Sequence, residues 1–196
     1  MIYLMRHGQT AMNRKKVLQG RSDLPLNEEG RREARQAGER FRKAGILFDG
    51  VYSSPLLRAQ ETAGLITDAP VTVDQRLIEM DYGPYEGMDL LHPAPEVLTF
   101  FSDFSRNPAP EGMEPLDQVV RRLGEFLEEI REEARNRTIL VSTHAIAMKG
   151  ALEYLTPESK GGYWSVYIGN CAVYRTGIGK EGNGDPGSWI LPQPWE

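Results

Sequence analysis

With 196 residues, 40% of them hydrophobic, the chain is long enough to bury a sizeable core and suits one domain spanning residues 1–196. Its 23 lysines and arginines against 28 aspartates and glutamates leave a net charge of −5, which argues against nucleic acid or an anionic membrane as partner. A single cysteine rules out an intrachain disulfide. Arg6 also comes too early for the apolar core of a signal peptide, and no stretch reaches the length of a membrane span, so a soluble, cytoplasmic protein is expected.

The first strand-like run, Ile2-Tyr3-Leu4-Met5, stops at Arg6-His7-Gly8, where glycine lets the backbone turn without a Cβ in the way. Residues 13–27 read as a polar loop, carrying Lys15, Lys16, Gln19, Gly20 and Arg21, that is able to fold over a ligand. Asn27 with Glu28 and Glu29 starts a helix whose buried face is Ala34, Ala37, Gly38 and Phe41. Residues 46–53 read as a second strand, 56–67 as a helix with Arg58 in its opening turn, and 71–73 as a third strand.

Residues 74–112 are rich in proline and glycine and too long for a plain connection. They are expected to form an insertion that roofs a site, with a short helix over 96–104. Residues 115–135 are helical, with Val119, Val120, Leu123, Phe126, Leu127 and Ile130 as the core stripe. Residues 138–143 form a buried strand ending at His144, and 145–155 a helix. Two closing strands, 170–175 and 188–191, are joined by a glycine-rich turn, and the tail 192–196 is loosely held unless Trp195 finds a pocket. The alternation predicts a three-layer α/β/α sandwich with a mainly parallel central sheet.

Ligands bind such sheets at the carboxyl ends of the strands. Arg6 with His7, Arg58, and His144 all fall at strand ends or at the start of the following helix, and Glu79 follows the third strand. A phosphomonoester needs cations for its oxygens, an in-line nucleophile, and an acid for the leaving group. These residues supply each. Neighbouring arginines favour a neutral, nucleophilic imidazole, and a bound phosphate dianion favours a protonated Glu79.

Over most of its length the chain resembles the histidine phosphatase superfamily, in its phosphoglycerate-mutase-like branch. The resemblance lies in Arg6-His7-Gly8-Gln9-Thr10 with Asn13; Gln19-Gly20-Arg21-Ser22-Asp23 with Pro25-Leu26-Asn27; Ser53-Ser54-Pro55-Leu56 with Arg58-Ala59 and Thr62-Ala63; Leu77-Ile78-Glu79 with Gly83 and Glu86-Gly87; and Val141-Ser142-Thr143-His144. It implies that His7 becomes phosphorylated, that Glu79 is acid and then base, and that Arg6, Arg58 and His144 complete the phosphate pocket. Asn13, Gln19 and Gly20 lie at its edge. The implied partner is a small phosphomonoester and the product inorganic phosphate, with no cofactor and no metal.

A cofactor-dependent mutase is the alternative within the family. Mutases of this kind are longer, carry a lysine shortly after the glycine equivalent to Gly87, and have paired arginines in the insertion, whereas here Met88-Asp89-Leu90 follow and Arg106 stands alone before Arg121-Arg122. Phosphatase is therefore favoured, and the wording at residues 19–23 is closest to small bacterial-type phosphatases, including those acting on α-ribazole phosphate. A non-catalytic phosphoester-binding protein is the reading of a different class, disfavoured because His7 and Glu79 are both kept. Asp81 and Glu86 are the other candidates for the acid. The leaving alcohol is expected to meet insertion residues such as Tyr82, Tyr85, Met88 and Met113, while His92 is expected to be exposed. Gly177, Gly179 and Gly182 form a dinucleotide-like string that fails on context, since Pro186 follows and no helix starts there. Cys171 reads as a small buried residue in a strand.

Overall fold

The computed structural model describes residues 1–179 and 187–196. Its frame is one six-stranded sheet built from β1 (Ile2–Arg6), β2 (Gly50–Ser53), β3 (Val71–Val73), β4 (Ile139–Thr143), β5 (Val173–Ile178) and β6 (Trp189–Trp195), in the order β3-β2-β4-β1-β5-β6. The first four run parallel, β5 pairs antiparallel with β1, and β6 pairs antiparallel with β5.

β1 shows why the sheet must be covered on both faces. Ile2 and Leu4 join the core beneath α5 (Leu116–Glu129) and α7 (Ala145–Leu155), while Tyr3 and Met5 join the one beneath α2 (Glu28–Lys43) and α3 (Leu57–Ile66). Side chains alternate along a strand, so two apolar faces demand a layer on each side, and the three-layer sandwich follows. Among the described residues no helix is long and apolar enough to cross a membrane.

The differences from the expected elements are local. β2 starts at Gly50, not at residue 46, because Ile46 and Phe48 pack against the α2 face from a loop pinned by the bond from Thr138 N to Asp49 Oδ2. Residues 13–27 are not all loop: α1 (Ala11–Lys15) is nucleated by a reciprocal cap in which Thr10 Oγ1 accepts from Asn13 N and Asn13 Oδ1 accepts from Thr10 N. Within 74–112 the helix is α4 (Pro95–Ser102), and single turns at Gln75–Leu77 and Gly83–Tyr85 precede it. The 115–135 helix breaks at Ile130 into α5 and α6 (Arg131–Ala134).

At the carboxyl end, β5 begins at Val173, so Cys171 sits in the preceding turn with φ of 55° and not in a strand; it is buried there. The tail is not loose. Trp195 stacks on Phe41 at 4.2 Å between ring centroids and meets Tyr3 edge-on at 5.7 Å, so β6 runs to Trp195. Gly177 belongs to β5, whereas Gly182 and Pro186 lie outside the described residues.

Candidate active site

The register of the parallel strands assembles the site. Arg6 stands opposite Thr143 and Ser53 opposite Ser142, so the residues just beyond these ends, His7, His144 and Ser54, converge on one edge. The bonds from His7 N to Thr143 O and from Ser54 N to Ser142 O, each 3.0 Å, carry the ladder one step past the strands. The His7 and His144 rings lie 5.1 Å apart. Arg58, in the first turn of α3, joins them through its Nε, which donates to His7 Nε2 at 3.2 Å.

The first turn is tight for a specific reason. A Cβ on Gly8 would lie 2.5 Å from Gly30 O, because the first turn of α2 sits directly on this backbone. Close approach, not a positive φ, is what Gly8 provides. Thr62 Oγ1 accepts from Gly8 N and donates to Arg58 O, tying the turn to α3.

His7, Arg58, Glu79 and His144 are all buried. The His7 ring bonds Gly8 O through Nδ1 at 2.7 Å, so Nδ1 holds the proton and Nε2 the lone pair. Burial, then Arg58, then Arg6 hold its pKa well below the usual 6.5, against the Gly8 bond. His144 is likewise lowered well below 6.5 by burial and then by Arg58. Its Nε2 lies 2.7 Å from Ser54 Oγ, and its Nδ1 is buried with no protein partner among the described residues.

Arg58 is held by carbonyls: Nη1 donates to Ser22 O at 2.8 Å and Nη2 to Gly20 O at 2.6 Å. With Nε on His7, that uses three of five guanidinium N–H groups. Arg6 Nη1 donates to Ile168 O at 2.6 Å, while its buried Nε has no partner among the described residues. Glu79 is clamped by backbone amides: Oε1 accepts from Met80 N and Ala147 N, and Oε2 from Ile146 N. It therefore sits at the amino end of α7.

The two other acids are committed elsewhere. Glu86 accepts from the amides of Gly20, Arg21 and Ser22, closing the loop that carries the Arg58 contacts, and Asp81 pairs with Arg21 at 3.0 Å. Gly20 is required at that crossing, since a Cβ would lie 2.6 Å from both Glu86 Oε2 and the Tyr82 ring. Gln19 Oε1 accepts from Thr10 Oγ1, and Asn13 Oδ1 accepts from Asn170 Nδ2 as well as from its cap. Both stand near the His7 turn, since Asn170 Nδ2 also donates to His7 O.

Of the expected insertion residues, Tyr82 and Met113 are buried in the core, and Tyr85 and Met88 pack against it. His92 is exposed and pairs with Asp89. Ser54, Thr62 and Asn170 are not singled out by the sequence, which offers Glu86 only as an alternative acid and not as the anchor of residues 20–22. Ser54 and Thr62 stood inside the quoted Ser53-Ser54 and Thr62-Ala63 pairs, but nothing local announces partners 90 and 54 residues away.

The model of the histidine phosphatase superfamily (branch 1) matches residues 2–184. The chain is 31% identical over 179 residues to a putative phosphoserine phosphatase 2 of Hydrogenobacter thermophilus, covering 88% of this chain and 86% of that one. It is 33% identical over 189 residues to a 2,3-bisphosphoglycerate-dependent phosphoglycerate mutase of Methylobacterium sp., covering 89% and 90%. That second match spans nearly the whole mutase, so length does not separate mutase from phosphatase here. Among solved structures, the phosphoserine phosphatase of Entamoeba histolytica in complex with 3-phosphoglyceric acid superposes with a TM-score of 0.81 at 25% identity, covering 98% of this chain and 95% of that one. The chain thus belongs to the histidine phosphatase superfamily, branch 1.

Proposed function

We propose that the protein hydrolyses small phosphomonoesters through a phosphohistidine at His7, with Glu79 as general acid and then base. The observation that carries this reading is the His7 ring: Nδ1 is spent on Gly8 O, so Nε2 offers its lone pair in a buried pocket with Arg58 beside it. In the first step Nε2 forms the N–P bond, the P–O bond to the alcohol breaks, and the leaving oxygen takes the proton of Glu79. In the second, the Glu79 carboxylate takes a proton from water, the water oxygen attacks phosphorus, and the N–P electrons return to Nε2. Inorganic phosphate departs.

Arg6, Arg58 and His144 hold the phosphoryl oxygens through the donors that the protein leaves uncommitted. Asn13, Gln19 and Gly20 border the pocket. No metal is needed in this scheme, because the arginines and the α7 amino end supply the positive field. The relatives' printed names, phosphoserine phosphatase and phosphoglycerate mutase, support a small phosphate ester as substrate.

Hydrolysis is favoured over phosphoryl return by the state of Arg106 and Arg122. Arg122 is locked onto Glu114 and the carbonyls of Arg76 and Ile78, and Arg106 is paired with Asp103. Neither is poised for a second phosphate. The test is phosphate release from a panel of phosphomonoesters with added chelator, wild type beside His7→Ala. The panel includes 3-phosphoglycerate with trace 2,3-bisphosphoglycerate, followed for isomerisation. Chelator-resistant release that vanishes in the variant is expected. Isomerisation without release would make the protein a mutase, and silence on every ester would leave only binding.

A further inference from the structure

α7 serves the site with its first turn and opens a second feature with its next. Ile146 and Ala147 clamp Glu79, and Lys149, further along, lines a cavity of about 550 Å³. Its walls are Phe101 and Phe104 from the end of α4 on one side and Trp164 and Tyr167 on the other, with Asp103 also contributing. The walls are built, not incidental. Phe104 lies 4.8 Å from the buried Phe100 and 6.2 Å from Trp164, between ring centroids. Glu153 accepts from Ser159 Oγ, Gly161 N and Tyr163 N, so α7 also fixes the segment that delivers Trp164. The far end of that segment is tied to the phosphate pocket by the bond from Arg6 to Ile168 O.

Lys149 is held by a carbonyl and a ring and not by a counter-ion. Its Nζ donates to Trp164 O at 2.7 Å and lies 5.2 Å from the Phe104 ring centroid, but among the described residues no carboxylate is within ion-pair distance. Burial draws its pKa down to about 8, with the charge of Glu79 acting the other way and Arg6 adding to the depression. A methionine would fill the same space without the cost of desolvating an ammonium. Tyr167, 88% exposed, puts a large ring at the rim with little packed over it.

We propose that this cavity receives the leaving group, and that the preferred substrates are phosphomonoesters of aromatic alcohols bearing a carboxylate that pairs with Lys149. The inference rests on the phosphatase reading. With the phosphoryl group at His7, the leaving group extends along α7, its ring among Phe101, Phe104 and Trp164 and its anion at Nζ. One unpaired cation suits one carboxylate.

Phenylphosphonate and 4-carboxyphenylphosphonate test this by calorimetric titration of wild type, Lys149→Met, Lys149→Arg and Phe104→Ala. Their C–P bonds are not hydrolysed, so binding is read without turnover. The wild type should bind the carboxylated compound at least about tenfold more tightly, as a charge-assisted bond predicts. That ratio should collapse toward one in Lys149→Met and persist in Lys149→Arg, while Phe104→Ala should weaken both compounds. A wild-type ratio near one, or a ratio unmoved in Lys149→Met, overturns the proposal; the wild-type measurement stands even if a variant fails to fold. Phosphate release that depends on His7, beside a ratio of one, would sink the pocket and keep the hydrolase. A preserved ratio without such release would sink the hydrolase and leave a binding pocket.

Discussion

β1 and β4 are parallel neighbours that each end in a histidine, yet the two rings are wired differently. His7 spends Nδ1 on the carbonyl of Gly8 and turns Nε2 toward Arg58. His144 spends Nε2 on Ser54 Oγ and leaves Nδ1 unpartnered among the described residues. Ser54 Oγ accepts from Leu56 N and has one proton of its own to give; donated to His144 Nε2, it leaves the ring proton on Nδ1. With that donation both imidazoles are Nδ1–H tautomers, but the second nitrogen is a lone pair on His7, held by Arg58 Nε, and an unpartnered donor on His144 among the described residues. A nucleophile needs the first and a phosphoryl oxygen the second.

Replacing each ring separates the two roles. His7→Ala should cut kcat by roughly 10⁴-fold or more and abolish any acid-labile, base-stable phosphoenzyme label, since His7 forms the N–P bond. His144→Ala should cost about 10²-fold, the scale of one lost transition-state donor, while still forming the phosphoenzyme. Rapid-quench labelling with a radioactive substrate reads both. Equal losses, with labelling gone in each, would mean that the two rings act as one unit.

The turns also differ in what buttresses them. The His7 turn is pressed against α2 through Gly8 and Gly30, whereas His144 runs straight into α7 as its first flanking residue. A Cβ on Gly30 meets the backbone of Gln9, which cannot yield as a flexible side chain would. Gly30→Ala should therefore cost about 1–3 kcal/mol, seen as a drop in denaturation midpoint with loss of activity. An unchanged midpoint would show that the turn has slack.

The shared lowering of both pKa values has a stability consequence of known sign. Unfolded imidazoles titrate near 6.5, and the folded ones lie well below, so between the two values the unfolded chain binds more protons. Stability should fall as pH drops below about 6.5. Denaturant titrations near pH 7.5 and near pH 5 should show a smaller loss in His7→Ala and in His144→Ala than in wild type. The acid limb of kcat/KM should likewise lie below about 6.5.

What the sequence discloses follows from which forces are local. β4 and α7 are legible because an unbroken apolar run and a helical stripe depend on neighbours in the chain, and their strand-end address identifies Arg6, His7, Arg58 and His144 as candidates. α1 escapes because five residues hold too few turns to show a period, although its Thr10–Asn13 cap was there to read. The start of β2 escapes because Ile46 and Phe48 are apolar for packing, not for pairing. Ser54 and the anchoring role of Glu86 escape because their partners lie 90 and 66 residues away. Lys149 looks like any charged residue on a helix until the aromatic walls from α4 and Trp164 close around it.

The finest test of the comparison is Ser54. If its hydroxyl sets the His144 tautomer, Ser54→Ala removes one hydrogen bond to a neutral ring, worth about 1 kcal/mol, or roughly a fivefold fall in kcat. A merely structural role would lower stability and leave kcat of the folded fraction alone. The cycle with His144→Ala separates these outcomes: Ser54→Ala should have no further effect on kcat once the ring is gone. A full fivefold loss in that background would mean that Ser54 acts on the substrate or on the Leu56 turn directly, and the His144 donor would then need another explanation for its orientation. Additive losses would therefore break the tautomer argument while leaving the His7 nucleophile standing, because the Nδ1 of His7 is fixed by its own chain's carbonyl and owes nothing to Ser54.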